Sequence, residues 1–193
     1  MVWLLALLLG YALGSVPFGL LLAMAAGKGD IRSIGSGNIG ATNVLRTGSK
    51  GLAAATLLLD GAKGFAAVWL AGRYLPDAAA LAALGAVLGY CFPIWLKFKG
   101  GKGVATTLGV CLGLGWTIGL AYAAVWLAMM AATRTSSVGG MSAALAAPVA
   151  AALTGRGELV PVLAVIALVV VRLHRENIAR LRAGTEPRVG AKG

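Results

Sequence analysis

Three short stretches of this chain hold most of the residues able to do chemistry. The first reads Asp30-Ile31-Arg32-Ser33-Ile34-Gly35-Ser36-Gly37-Asn38-Ile39-Gly40-Ala41-Thr42-Asn43-Val44-Leu45-Arg46. Its glycines allow successive backbone N–H groups to turn toward one point, which makes an anion-binding nest around Gly37 and Gly40. Ser36, Asn38, Thr42 and Asn43 add neutral polar groups, and Arg46 adds a planar fork suited to phosphate. In the second stretch, Lys97 to Thr107, Lys102 stands between Gly101 and Gly103 at the start of a predicted helix, whose dipole favours an anion there. In the third, Arg172 to Arg182, helical spacing sets His174, Asn177 and Leu181 on one face and Arg175 with Ala179 on another. Ser137, close after Arg134, is a weaker member of the group.

Each stretch also has a plainer reading. Gly35, Gly37 and Gly40 satisfy G-x-G-x-x-G, with Asp60 twenty residues on. No strand precedes them, so a dinucleotide fold is excluded and the match is a coincidence. A flexible linker would not need Asn, Thr, Asn and Arg at helical spacing. The second stretch resembles a phosphate-binding P-loop only at Gly101-Lys102, because Leu96 occupies the place of the earlier glycine and Gly103 that of Ser or Thr. Lys97 and Lys99 read as membrane-face anchors; Lys102 between two glycines does not. A lone His beside arginines is more often a positioned hydrogen-bonding group than a base, and no carboxylate is an obvious orienting partner for His174.

Asp60 and Lys63 lie at i and i+3 deep in an apolar run, where ionisable groups are costly. They can neutralise each other, so a structural pair that also orients the first loop is the expectation. No two of the six acids stand in a ligand pattern with His or Cys, so metal-dependent phosphoryl transfer or hydrolysis is not expected, and no metal site is predicted. Cys91 and Cys111 sit in apolar stretches and read as small core residues.

These stretches must be positioned by a membrane protein. Of 193 residues, 59% are hydrophobic and only 12% charged, about half the charge fraction of a soluble domain. Soluble, disordered and disulfide-stapled classes are excluded, since apolar runs of this density would aggregate in water. The net charge of +11, from 17 basic against six acidic residues, fits topology and anion binding; no nucleic-acid partner is expected. The fold class is an all-α integral membrane bundle with seven transmembrane helices, some short, and glycine-rich cytoplasmic loops. The expected spans are 2–26, 51–72, 78–96, 104–114, 116–132, 138–154 and 159–173, forming one transmembrane domain.

Charge decides the count. The runs at 104–132 and 138–173 could each hold one helix or two, with turns near Gly113-Leu114-Gly115 and at Arg156-Gly157-Glu158. Two helices in each put fourteen of the 17 basic residues on one face, with Arg73 and Arg156 opposite. A single helix over 104–132 divides them about evenly, against the tendency of basic residues to stay in the cytoplasm. The N-terminus is then outside and the tail inside. Gly-xxx-Gly pairs at Gly10/Gly14, Gly85/Gly89, Gly109/Gly113 and Gly115/Gly119 predict close helix packing.

Taken together, Gly35 to Arg46, Phe92-Pro93 with Phe98 to Thr106, and His174 to Leu181 resemble the three motifs of the bacterial acyl-phosphate:glycerol-3-phosphate acyltransferase family. Ser15-Val16-Pro17-Phe18-Gly19, Asp60-Gly61-Ala62-Lys63-Gly64 and Gly184-Thr185-Glu186 extend the resemblance over nearly the whole chain. It implies transfer of a fatty acyl group from acyl phosphate to the 1-hydroxyl of sn-glycerol 3-phosphate, giving lysophosphatidic acid and phosphate. That reaction begins phospholipid synthesis in most bacteria, at the cytoplasmic side of the inner membrane. By motif position Arg46, Lys102, His174 and Asn177 would be catalytic. Ser36, Gly37, Asn38, Gly40, Thr42, Asn43, Gly101, Gly103, Ser137 and Arg175 would bind substrate. No cofactor is implied; the partners are the two substrates and membrane lipid, with the chain a monomer or weak oligomer. Two departures stand out: Tyr90 where the family usually has His, which implies a packing or hydrogen-bonding role there, and a loose match at Ser136-Ser137-Val138-Gly139-Gly140.

The resemblance also accounts for the missing base. Acyl phosphate is a mixed anhydride whose leaving group needs no strong acid. The protein must mainly neutralise two anions and hold them at attack distance. The competing class is a carrier or channel for a small phosphorylated anion, which predicts polar clusters on both sides or at mid-depth.

Overall fold

A computed structural model describes residues 1–189; Lys192, one of the fourteen basic residues expected on one face, lies outside the described residues. Pro17 has no N–H and cannot continue a helical ladder. The first apolar run is accordingly two helices, α1 (Val2–Gly14) and α2 (Phe18–Ala25), separated at Ser15-Val16-Pro17. A loop then leads to the short α3 (Ala41–Leu45) and to α4 (Lys50–Tyr74), whose first turn is capped by the Ser49 hydroxyl accepting from the Leu52 N–H. After α5 (Ala79–Cys91) and a second loop comes α6 (Val104–Leu114). The apolar stretch from 104 to 133 is two helices, not one, because α7 (Trp116–Thr133) starts afresh after Gly115. Then come α8 (Ser136–Leu153), α9 (Val160–Leu173) and α10 (Arg175–Arg182), the last bent by 57° from its predecessor. The described residues contain no strand.

Among the described residues five helices are long and apolar enough to cross a membrane, with the broken α1–α2 counted as one, and six if the bent segment through α9 and α10 is included. At 11 residues α6 falls short of that length, about 16 Å at 1.5 Å per residue.

The chain divides into two compact units, Met1–Leu114 and the remainder from Gly115. In the first, α1 lies along α5, and α4 packs against α1, α5 and α6. The flagged glycines explain how α1 and α5 approach. Side chains at Gly10 and Gly14 would strike the backbone of Ala82 and Ala86, and side chains at Gly85 and Gly89 would strike that of Leu7 and Tyr11. The two pairs face each other, so backbone meets backbone as small-residue packing in lipid requires. Gly109 of α6 similarly lies against the backbone of Gly61, and Gly113 against the Val68 side chain. The other unit stacks α7 on α8 and α8 on α9.

Candidate active site

A helix broken inside a membrane leaves carbonyls that need partners. At the α1–α2 break, the Lys63 ammonium donates to the Val16 carbonyl at 2.5 Å, and the Trp95 indole donates to that of Ser15 at 2.9 Å. The α5 end is tied in too, since the Tyr11 hydroxyl donates to the Phe92 carbonyl at 2.7 Å. Lys63 also pairs with Asp60 at 2.7 Å, both side chains almost wholly buried, and lies 4.3 Å from the Tyr90 ring centroid and 5.5 Å from that of Phe18. Asp60 and Lys63 are therefore an ion pair with a further structural duty, supporting a break that carries the first loop.

The first loop is not a free linker. Ile31, Ile39 and Val44 are buried and anchor it. Asn43, 1% exposed, is its hub: its amide nitrogen donates to the carbonyls of Ile31 (2.6 Å) and Asn38 (2.8 Å). Its amide oxygen accepts from the Ser36 N–H, the Ser36 hydroxyl and the Arg46 guanidinium at 3.2, 3.4 and 3.2 Å. Gly35 adopts φ +56°, and a side chain there would run into both Arg46 and Asn43. Glycine at 35 thus serves the seat of Arg46 as well as the turn.

The amides expected to form a nest are largely engaged within the loop. The Ser36 N–H goes to Asn43, the Gly37 N–H to the Ile34 carbonyl, and the Gly40 N–H to the Asn38 side chain. Among the loop's polar side chains, Thr42 and Arg46 are exposed, and Asn38 is half-buried. Asp30 caps the opening turn and clasps Arg32 through two guanidinium nitrogens, and this hydrogen bonding lowers its carboxyl to about 2.

The second loop folds back on the end of α5. The N–H groups of Gly100 and Gly101 donate to the carbonyls of Cys91 and Tyr90, both at 3.1 Å, so the orphan carbonyls of that helix end are satisfied. Gly101 lies flat against the Tyr90 ring, with no space for a side chain, and a side chain at Gly40 would come within 2.9 Å of the Tyr90 hydroxyl. Tyr90 therefore touches both loops, which is the packing role expected of it. Gly103 (φ +82°) turns the chain into α6, leaving Lys102 half-buried at the helix start.

In the second unit Ser137 opens α8, Asn177 lies on α10, and His174 sits at the bend between α9 and α10. All three are buried, while Arg175 is exposed. The His174 Nδ1 lies 2.7 Å from the Val170 carbonyl. A carbonyl can only accept, so Nδ1 carries the proton. Ser137 and Asn177 meet at a residue not foreseen as part of the site, Glu186. Its Oε1 accepts from the Ser137 hydroxyl and the Asn177 amide, each at 2.6 Å, while its Oε2 accepts from Arg180 Nε at 2.7 Å. Burial opposes the charge on Glu186, but these three donors outweigh it and lower its carboxyl below the ordinary value. The Gly-Thr-Glu run was visible in the sequence; its meeting with Ser137, 49 residues away, was not. The tail is held further by the Val189 N–H donating to the Arg134 carbonyl at 2.7 Å. Beside it opens a cavity of about 460 Å³ whose lining includes Arg134, Arg188, Leu181 and Glu186.

Glycine-packed apolar helices carrying basic, tightly organised loops define, among the described residues, an all-helical integral membrane protein. The chain belongs to the glycerol-3-phosphate acyltransferase family, whose model matches residues 4–184. It is 66% identical over 187 residues to the glycerol-3-phosphate acyltransferase of Erythrobacter litoralis (strain HTCC2594), covering 97% of this chain and 95% of that one. Identity to the enzyme of the same name from Novosphingobium aromaticivorans is 67% over 189 residues, covering 98% and 96%. Two crystal structures of PlsY (YgiH), an integral membrane glycerol 3-phosphate acyltransferase, have the same fold. Its glycerol 3-phosphate form aligns with a TM-score of 0.91 at 35% identity, and its lysophosphatidic acid form with 0.89 at 34%. Each alignment covers 97% of this chain and 95% of the solved one.

Proposed function

We propose that this acyltransferase takes its acyl group from a fatty acyl phosphate and passes it to the 1-hydroxyl of sn-glycerol 3-phosphate, releasing lysophosphatidic acid and phosphate. The observation that carries this reading is the seating of Arg46: Asn43 holds its guanidinium at 3.2 Å within a loop anchored by buried Ile31, Ile39 and Val44. A cation held in place and left exposed is suited to a phosphate group. The two PlsY forms support the acceptor and product, since one is the glycerol 3-phosphate form and the other the lysophosphatidic acid form.

In this reading Arg46 and Lys102 neutralise phosphate charge, with Ser36, Asn38 and Thr42 contributing hydrogen bonds. Gly37, Gly40, Gly101 and Gly103 let the backbone come close, and Asn43 acts by holding Arg46. His174 and Asn177 align the acceptor, with Ser137 and Arg175 as further substrate-binding groups. The reaction is direct. The glycerol 1-oxygen attacks the acyl carbonyl, the carbon–oxygen bond to phosphate breaks, and a substrate phosphate oxygen takes the hydroxyl proton. Charge stabilisation and proximity supply the rate, and no acyl-enzyme forms.

The same reading places seven crossings in a bacterial inner membrane: α1–α2 as one broken span, then α4, α5, α6, α7, α8 and α9. Short α6 spans with its flanking loops where the bilayer thins. The N-terminus is outside, and the basic loops and tail face the cytoplasm. The chain acts as a monomer or weak oligomer. The test is to incubate purified protein in detergent with acyl phosphate and glycerol 3-phosphate and to measure phosphate release and lysophosphatidic acid. Release needs both substrates. A burst of phosphate without glycerol 3-phosphate, leaving acyl-labelled protein, defeats the direct mechanism.

A further inference from the structure

Ser137 and Glu186 together say which end of the acceptor the second unit recognises. The Glu186 carboxylate receives three donors, two on Oε1 and one on Oε2, and its side chain is only 7% exposed. Every one of these contacts requires the carboxylate to accept. The single hydroxyl hydrogen of Ser137 is therefore committed to Glu186 at 2.6 Å, and what Ser137 retains is its oxygen lone pairs. A hydroxyl in that state can accept a hydrogen bond and cannot donate one. A phosphate dianion only accepts, so the two do not match; an alcohol O–H does.

We propose that Ser137 accepts a hydrogen bond from a hydroxyl of the glycerol acceptor rather than holding phosphate, and that Glu186 is the positioning residue that orients it. The inference rests on the acceptor named under the proposed function. It adds the kind of group that Ser137 reads, a hydroxyl and not a charge. Arg180, on the other carboxylate oxygen, keeps Glu186 aimed at Ser137 and Asn177. The tail bearing Glu186 is itself tied down through the Thr185 N–H, which donates to the Arg180 carbonyl at 2.9 Å.

The test compares Ser137→Ala, Ser137→Thr and Glu186→Gln in the purified detergent-solubilised enzyme. KM for glycerol 3-phosphate is measured together with the inhibition constant of inorganic phosphate. One lost hydrogen bond predicts that Ser137→Ala raises KM by about fivefold to tenfold. The phosphate inhibition constant stays within about twofold of its starting value, and Ser137→Thr, which keeps the hydroxyl, restores most of the affinity. Glu186→Gln raises KM in the same sense, and its effect shrinks when Ser137 is already Ala. If phosphate inhibition weakens in step with KM in Ser137→Ala, Ser137 holds phosphate and the proposal fails. An unchanged KM in Ser137→Ala overturns it as well. A rise in Ser137→Ala with none in folded Glu186→Gln removes Glu186 from the proposal. Absence of phosphate release by the unmodified enzyme is a different failure, that of the acyl-phosphate reading itself.

Discussion

Lys63, in the middle of α4, donates to the backbone carbonyl of Val16, 47 residues earlier, at the break between α1 and α2. One ammonium thus neutralises Asp60 and gives the Val16 carbonyl at the helix break a charged donor beside the Phe18 N–H. A buried ion pair is seldom a net gain in stability over apolar packing, but losing one member is expensive. Here that loss also removes the support of the loop ahead of Arg46.

Lys63→Met should therefore lower stability by about 3 to 5 kcal/mol, because it strands the Asp60 carboxylate. Thermal unfolding in detergent measures this. Pairing it with Asp60→Leu should recover part of the loss, though not the hydrogen bond to Val16; a double variant no more stable than Lys63→Met refutes the assignment.

Arg46→Ala should reduce kcat/KM by about a hundredfold to a thousandfold, the range for removing one preorganised charge-stabilising donor. Arg46→Lys should recover only part, since a point charge cannot reproduce the planar fork that Asn43 holds. Lys102→Ala should show a loss of similar order in steady-state assays. Either alanine variant with near-full kcat would remove the charge-stabilisation argument.

Gly14→Ala forces a methyl group into the Ala86 backbone and should cost about 1 to 3 kcal/mol as α1 is pushed from α5. Gly51→Ala, at the start of α4 with open space around it, should be neutral or slightly stabilising. Thermal midpoints of the two variants, measured side by side, should differ in this direction.

The Glu186 carboxyl lies below its ordinary 4.5 in the folded protein. Its contribution to stability is thus fully present above that value and is lost as pH falls through the lowered one. As pH falls below about 4.5, thermal stability of the unmodified protein should drop more steeply than that of Glu186→Gln. Parallel profiles would show that the hydrogen bonds to Glu186 do not favour its charge.

Much of the architecture was legible in the residues because it depends on local composition. Apolar runs specify helices in lipid, Pro17 specifies a break, and spaced glycines at 10, 14, 85 and 89 specify where helices come close. The basic, polar loops around Arg46 and Lys102 were equally visible, since glycine spacing and charge are properties of short segments. Other relationships exist only once the chain is packed. Asn43 reads in sequence as one polar group among several, yet folding engages both ends of its amide in organising the loop. The glycine pattern suggested a main-chain nest, but intraloop acceptors take those amides first. Lys63 with Val16, Trp95 with Ser15, and Glu186 with Ser137 join residues 47, 80 and 49 positions apart. A hydrogen bond requires approach to about 3 Å, and no local pattern says which distant carbonyl or hydroxyl will be brought that near. Composition and periodicity determined the helices and the chemistry of the loops; the packing of those helices alone decided which polar groups are spent on one another.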